Sequence, residues 1–196
     1  MQLPYSWLVE LTGATVDAIE AARLLTRNGI AVEKIERVDQ HMQGVIIARV
    51  EEVHAIEGAK IRRTVVNTGS EKLQVVCGAP NVAAGQTIAF APIGATVAGP
   101  LTIGQAKIRG VDSFGMICSE RELGLSDAHS GIIVLADGLP LGASFAKTLG
   151  YDDTTLHFEI TPNRGDCLSA IGIARELAAV LNIPTGINQN LAKASQ

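Results

Sequence analysis

Basic side chains are concentrated in the middle of this 196-residue sequence, although its formal net charge is −4. Residues 60–110 contain six basic residues and one acidic residue, whereas the segments before and after are both acidic. Clustered Lys and Arg side chains are typical of a surface that binds nucleic-acid phosphates. The alternative is a solvated sheet surface that happens to be basic. The six residues are Lys60, Arg62, Arg63, Lys72, Lys107 and Arg109.

The strongest candidates for phosphate contact are Lys107 and Arg109. They lie two positions apart in a segment that we expect to be a β-strand, where alternate side chains project to the same face. Both cations would then meet one phosphate backbone. Aromatic residues make up only 4% of the sequence, so few rings are available for stacking on bases. The sequence therefore favours recognition by shape and phosphate contact.

Cysteine and histidine residues show no spacing that indicates a metal site or a catalytic centre. There is no C-x-x-C pair, and the histidines follow no ligand pattern. The sequence also lacks a glycine-rich loop that would cradle a nucleotide. We expect three reduced, buried thiols, no catalytic residue, no metal and no membrane segment, which favours the cytoplasm. The cysteines are Cys77, Cys118 and Cys167.

Hydrophobic periodicity predicts a small β-barrel between two helical segments. Residues 16–26 predict a short amphipathic helix with the apolar positions Ile19, Ala22 and Leu25 at helical spacing, Thr15 as a candidate N-cap and Gly29 beyond the end. A second helix is predicted from Asp166, as its cap, through Leu181. Between them the sequence changes to short β-rich runs separated by turn residues, a pattern typical of a barrel. The predicted strands are 45–53, 64–66, 73–76, 87–91 and 131–135.

Three dense segments, residues 75–81, 107–120 and 161–169, carry a resemblance to a known family. The first two resemble the tRNA-binding domain near the amino terminus of bacterial phenylalanyl-tRNA synthetase beta subunits and of free-standing tRNA-binding proteins. The third, which reads TPNRGDCLS, is similar to the beta subunit and not to its free-standing relatives. Since beta subunits of this family are several times longer, the resemblance implies an amino-terminal piece of such a subunit.

The resemblance implies a mixed fold in which an OB-fold barrel is inserted into a small, discontinuous, helical domain of winged-helix-like architecture. An OB-fold is a five-stranded barrel that binds oligonucleotides through its middle strands and joining loops. The implied boundaries are 1–39 and 151–185 for the two halves of the helical domain, 40–150 for the barrel, and 186–196 for a linker or tail.

The function implied is a non-catalytic tRNA-binding and structural module of phenylalanine-tRNA ligase. In the family, ATP-dependent and magnesium-dependent joining of phenylalanine to tRNA takes place on the alpha subunit, so this chain itself needs no cofactor. The implied partners are tRNA, the alpha subunit and the rest of the beta subunit, in a heterotetramer of two alpha and two beta chains. Two alternatives stay open: a purely architectural module without RNA contact, and a free-standing tRNA-binding homodimer.

Several uncharged residues join the candidate RNA-binding set, and some positions depart from the family pattern. Ser113 and Ser119 flank a glycine in the signature segment, and Asn81 ends the first segment; the alternative is that such residues stabilise turns. The loop beginning at His54 is one residue longer than in the family and lacks its Pro and Asp. Gly165 replaces a usual proline, beside Arg164 and Asp166, which we expect to form a fold-holding pair.

Overall fold

Residues 1–184 are described by the computed structural model, in which the chain divides into two units. The first unit combines residues 1–38 with the chain from residue 152, and the second consists of residues 39–151. The predicted tail, residues 186–196, lies outside the described residues. No helix within residues 1–184 is both long and apolar enough to cross a membrane.

The strands are β1 (Gln2–Pro4), β2 (Ala31–Arg37), β3 (Ile46–Ala55), β4 (Arg62–Asn67), β5 (Lys72–Cys77), β6 (Thr87–Ala91), β7 (Thr96–Val97), β8 (Leu101–Thr102), β9 (Ala106–Ile108), β10 (Val111–Ser113), β11 (Met116–Ile117), β12 (Val134–Leu135) and β13 (Thr154–Glu159). The α-helices are α1 (Tyr5–Thr12), α2 (Ala18–Arg27), α3 (Phe145–Leu149) and α4 (Ala170–Leu181). A 3-10 helix spans Pro162–Cys167.

A curled antiparallel sheet in the order β11-β6-β3-β4-β5, with β12 also paired to β6, forms the second unit. A register shift between Val50 and Glu52 marks an irregularity in β3, the kind of bulge that bends a strand. The free edge of β5 is covered after β10, where the Phe114 N–H donates to the Gln74 carbonyl at 2.9 Å. The five predicted strands are confirmed, with ends displaced by up to three residues. This curled sheet is consistent with an OB-like fold.

Two small hairpins separate β6 from β11, and the second one corrects a sequence-based expectation. Strands β9 and β10 pair with Ile108 opposite Val111, which leaves Arg109 and Gly110 as the two turn residues. Their φ angles are 47° and 83°, and positive φ at both central residues is the property of the tight turns that fit the twist of a hairpin. The prediction that Arg109 lies on the strand with Lys107 is therefore wrong; Arg109 lies in the turn.

The first unit packs three helices, α1, α2 and α4, around a three-stranded antiparallel sheet in the order β1-β13-β2. Helix α2 is confirmed, but Asp17 is its N-cap instead of Thr15: the Asp17 carboxylate accepts from the Glu20 N–H at 2.8 Å. Ala22 and Leu25 are buried as predicted, whereas Ile19 is 69% exposed. The sequence predicts α2 and α4 of this unit, but neither α1 nor the sheet.

The junction before α4 contains an ion network and the cap of the helix. Arg164 bonds both oxygens of Asp166, at 3.1 and 3.0 Å, and reaches Glu176 at 2.7 Å; the predicted Arg164–Asp166 pair is confirmed. The N-cap of α4 is Ser169, whose hydroxyl accepts from the Gly172 N–H at 3.0 Å. Asp166 as cap is wrong, because it belongs to the preceding 3-10 helix.

Candidate nucleic-acid interface

The outer face of β3, β4 and β5 places basic and polar side chains in rows across the second unit. The outer face is the side of the sheet opposite the core residues Val66 and Val75, which are fully buried. Because side chains alternate along a strand, the register that pairs His54 with Arg63, and Arg63 with Val76, puts these three residues in one row on the outer face. Arg63 is exposed at the centre of this row.

Two of the six predicted cations are occupied by protein partners. Arg62 donates to the carbonyl oxygens of Pro80 and Val82 at 3.1 and 2.9 Å. Lys72 forms an ion pair with Glu51 at 2.5 Å, and this hydrogen bond raises the pKa of the lysine and lowers the pKa of the glutamate. Because Glu51 lies before the basic segment, counting charge along the sequence does not detect this neutralisation.

The other four predicted cations are available for phosphate contact. Lys60, in the loop between β3 and β4, and Arg63 on β4 are exposed. Lys107 on β9 and Arg109 in the hairpin turn are also exposed. None of the four has an ion pair or a side-chain hydrogen bond among the described residues. Exposed charges without a partner are the groups that release counterions when they meet phosphate.

The predicted uncharged residues form hydrogen bonds within the protein. The Ser113 hydroxyl, which is buried, accepts from the Val76 N–H at 3.0 Å and donates to the Gly115 carbonyl at 3.1 Å. Ser119, also buried, bonds Glu122 through its N–H at 2.6 Å and through its hydroxyl. These bonds fit the turn-stabilising alternative that the sequence leaves open.

Asn81 connects two loops. Its amide donates to the Ile132 carbonyl at 3.0 Å and its side-chain oxygen accepts from the Ile132 N–H at 2.9 Å. This two-way bond fixes the side chain against the loop before β12. Gly131 adjoins it so closely that an added Cβ would lie 2.7 Å from the Asn81 oxygen.

A pocket of about 560 Å³ opens at the end of β5. It is lined by the loop after β5, the two hairpins, the start of β11 and the loop before β12, and both predicted serines, Ser113 and Ser119, contribute to its wall. Most other lining side chains are apolar. The polar side chains that line it include Glu122 and His129. This volume lies within the range of small-molecule sites.

The cysteines are free thiols and are buried. Burial raises the pKa of the Cys118 thiol to about 12 and raises that of Cys77, so neither is a reactive thiolate at neutral pH. Asp166, Cys167 and Glu176 lie close enough together to share a cation. Arg164 already occupies the centre of this group, bonding both carboxylates and approaching the Cys167 sulfur at 3.0 Å.

A family model described as "Putative tRNA binding domain" matches residues 45–144, which is more than half of the chain and nearly all of the second unit. The chain therefore belongs to this family. The matched stretch contains the curled sheet, the two hairpins and the pocket.

Relatives extend the match beyond the second unit. The chain is 45% identical over 186 residues to the phenylalanine-tRNA ligase beta subunit of Bordetella parapertussis, covering 94% of this chain and 23% of that protein. The corresponding proteins of Geobacter sulfurreducens and Geobacillus kaustophilus are 45% and 44% identical, over 92% of this chain and 23% and 24% of theirs. The chain thus spans about a quarter of the length of these curated relatives. The predicted resemblance is confirmed.

Sequence reasoning missed the pocket and its apolar wall. Leu101 and Ile108 lie in the hairpins and are 53% and 38% exposed. A signal was present in the sequence, since both are bulky apolar residues in short segments bounded by glycines, where a loop usually carries polar side chains. Glu122 and His129 had no such signal, because only the fold brings their segments to the end of β5.

Proposed function

We propose that this chain is a non-catalytic tRNA-binding and structural module of a phenylalanine-tRNA ligase beta subunit. The observation that carries the proposal is the set of four cations without partners, Lys60, Arg63, Lys107 and Arg109, within a domain of the tRNA-binding family. Phosphate contacts fix the position of a nucleic acid without reading its sequence. The module would therefore hold tRNA by charge and shape.

In the proposed setting the catalytic work lies elsewhere. Joining of phenylalanine to tRNA, with ATP and magnesium, would take place on an alpha subunit in the cytoplasm, within a heterotetramer of two alpha and two beta chains. The described residues contain no ATP-binding motif that would contradict this division. We also propose that residues 40–150 are an OB-fold barrel inserted into a winged-helix-like domain formed by residues 1–39 and 151–185.

Surface hydrophobic residues in the first unit support the additional structural role. Trp7 and Leu168 are 54% and 64% exposed. Trp7 also lines a shallow apolar groove with Leu11 and Ile171. An exposed tryptophan beside a largely apolar groove is typical of a surface that packs against another domain. A purely architectural module, whose cations only contact solvent, is therefore the second candidate function.

Titration of tRNA at two salt concentrations tests the proposal. If all four free cations meet phosphate, the logarithm of affinity should fall with the logarithm of salt with a slope of about −3.6, or about a hundredfold between roughly 50 and 200 mM. Replacing Lys107 and Arg109 with alanine should flatten the slope by about one to two contacts and weaken binding of all tRNAs alike.

A matched control removes the same charge elsewhere. Lys147 in α3 and Arg175 in α4 are exposed, and neither has a side-chain partner among residues 1–184. The double substitution Lys147→Ala and Arg175→Ala should leave the salt slope unchanged. If the Lys107 and Arg109 variant behaves like this control, the cations are solvated and the architectural function replaces tRNA binding.

A further inference from the structure

The pocket at the end of β5 offers a contact of a different kind from the phosphate contacts proposed above. None of the six basic residues predicted from the sequence lines it. Its floor includes Ile117, which is buried, and Met116, which is partly buried. Leu101 and Ile108, from the two hairpins, also line the pocket, and both residues are partly exposed to solvent. Uncovered aliphatic side chains around a cavity favour insertion of an apolar group from a ligand.

The same pocket offers a hydrogen-bond acceptor. One oxygen of the Glu122 carboxylate, Oε2, accepts the Ser119 N–H at 2.6 Å and the Ser119 hydroxyl. The other oxygen, Oε1, has no hydrogen bond among the described residues, although Glu122 lines the pocket. His129 adds a second polar group; its Nδ1 lies 3.1 Å from the Asp127 carbonyl, and its Nε2 has no bond among residues 1–184. The pocket thus combines apolar walls with an acceptor for N–H donors.

A free cation lies beside the opening. Val76 lines the pocket and is directly opposite Arg63 in the register of β4 and β5. Directly paired residues on one face of a sheet have Cβ atoms about 5 Å apart, so the Arg63 guanidinium is within reach of a group at the rim. Arg63 has no ion pair among the described residues, and a guanidinium matches the geometry of phosphate.

We propose that this pocket binds a single unpaired nucleotide of the RNA, with the base between the aliphatic walls and the phosphate at Arg63. The base edge donates an N–H to Oε1 of Glu122. This inference rests on the proposed function and specifies which part of the RNA the same domain binds. Since no phenylalanine, tyrosine or tryptophan among the described residues lines the pocket, the base is held chiefly by aliphatic contact and its edge, in contrast to single-strand binders that stack bases on such rings.

An apolar segment of a protein partner is the competing occupant. Such a segment would fill the aliphatic walls but would bring no anion to Arg63, and its apolar side chain would bring no donor to Glu122. A backbone N–H of such a segment could also meet Glu122, so it is the cation at the opening, Arg63, that favours the nucleotide.

Methyl NMR of methionine provides a direct test, because the chain has three methionines in distinct places. Met116 lines the pocket, Met42 is buried in the core of the same unit, and Met1 belongs to the other unit. Guanosine 5′-monophosphate, whose base has N–H donors, should shift Met116 and leave the other two methyl signals in place. Ribose 5-phosphate, which lacks the base, should leave Met116 unchanged; an equal shift with both probes would overturn the proposal.

A pocket-filling variant separates this inference from the proposed function. Ala106 is exposed and lines the pocket, whereas Ala84 is exposed and does not. Ala106→Trp should weaken tRNA binding about tenfold, the scale of one lost base contact, with the salt slope unchanged, because Arg63 lies outside the pocket and keeps its phosphate contact. Ala84→Trp should match the parent chain.

Each outcome of this comparison is decisive. A normal salt slope with no effect of Ala106→Trp and no shift of Met116 on tRNA binding would overturn the nucleotide pocket alone. Absence of tRNA binding by the parent chain would overturn the proposed function. A Met116 signal that responds to the alpha subunit and not to RNA would assign the pocket to a protein partner.

Discussion

Gly172 lies in the first turn of α4, directly against the carbonyl group of Asp166, and its substitution by alanine is a severe test of this packing. An alanine Cβ would lie 1.9 Å from the Asp166 oxygen, 2.8 Å from its carbonyl carbon and 3.0 Å from the Cα of Cys167. Ordinary contact begins at 3.4 Å, so the closest approach is too short by about 1.5 Å. All three atoms belong to the backbone, and no side-chain rotation relieves the overlap.

The expected change in the free energy of unfolding follows from two opposing effects. In an open helix, alanine is favoured over glycine by about 1 kcal/mol. Overpacking of a well-packed site costs about 1–3 kcal/mol or more, and here the 3-10 helix would have to move away from α4 together with the Arg164 network. We therefore expect Gly172→Ala to lower the free energy of unfolding by about 3 kcal/mol.

Urea unfolding followed by tryptophan fluorescence measures this effect, because the single tryptophan, Trp7, belongs to the same unit as Gly172. Gly165→Ala is the matched control: an added Cβ there meets nothing within 4 Å, and we expect a change within about 0.5 kcal/mol. A Gly172→Ala midpoint equal to or above that of the parent chain would refute the close contact.

Three further predictions follow from the same unit and from the thiols. Ser169→Ala should cost about 1 kcal/mol through loss of the α4 cap, whereas Thr15→Ala, which removes no cap, should change urea stability little. Arg164, chiefly through its hydrogen bonds, lowers the pKa of Asp166 to about 2. A carboxyl group whose pKa is depressed on folding stabilises the fold above its unfolded pKa of about 4 and loses that contribution as pH falls towards 2. Unfolding measured across this pH range should show the loss of stability. The Arg164→Met variant should lack this pH dependence. The native thiols, including Cys118, should react with a thiol reagent only after denaturant is added; rapid native labelling would contradict their burial.

Strands β3, β4, β5, β6 and β12 of the second unit were predictable because each lies in a β-rich run between turn residues. The sheet of the first unit was not, because β13 pairs with β1 and β2, which lie more than a hundred residues away in sequence. Such pairing has no local signal. The polar character of β2, with Glu33, Lys34 and Glu36, also hides the strand from a hydrophobic pattern.

The sequence identified the basic residues of the candidate site, but it did not show which of them are free to contact phosphate. All six cations were identified, but whether each is free depends on what lies across the sheet. Lys72 meets Glu51 from β3, and Arg62 meets the carbonyl groups of the loop after β5. Arg109 lies in the hairpin turn beside Gly110, which adopts positive φ at little steric cost. Gly110 is a turn signal that a strand-based interpretation of residues 107–109 overlooks.

The hydrogen bond from the Val38 N–H to the Asp153 carbonyl, at 3.0 Å, has a consequence for the order of folding. It continues the pairing of β2 with β13 at the points where the chain leaves and re-enters the first unit, on either side of 113 residues. Closing a flexible loop of that length costs about 3–4 kcal/mol more than closing a two-residue turn. Once residues 39–151 have folded with their ends adjacent, most of that entropy is already lost. The inserted unit then acts as the turn of a hairpin, and β2 and β13 pair as near neighbours.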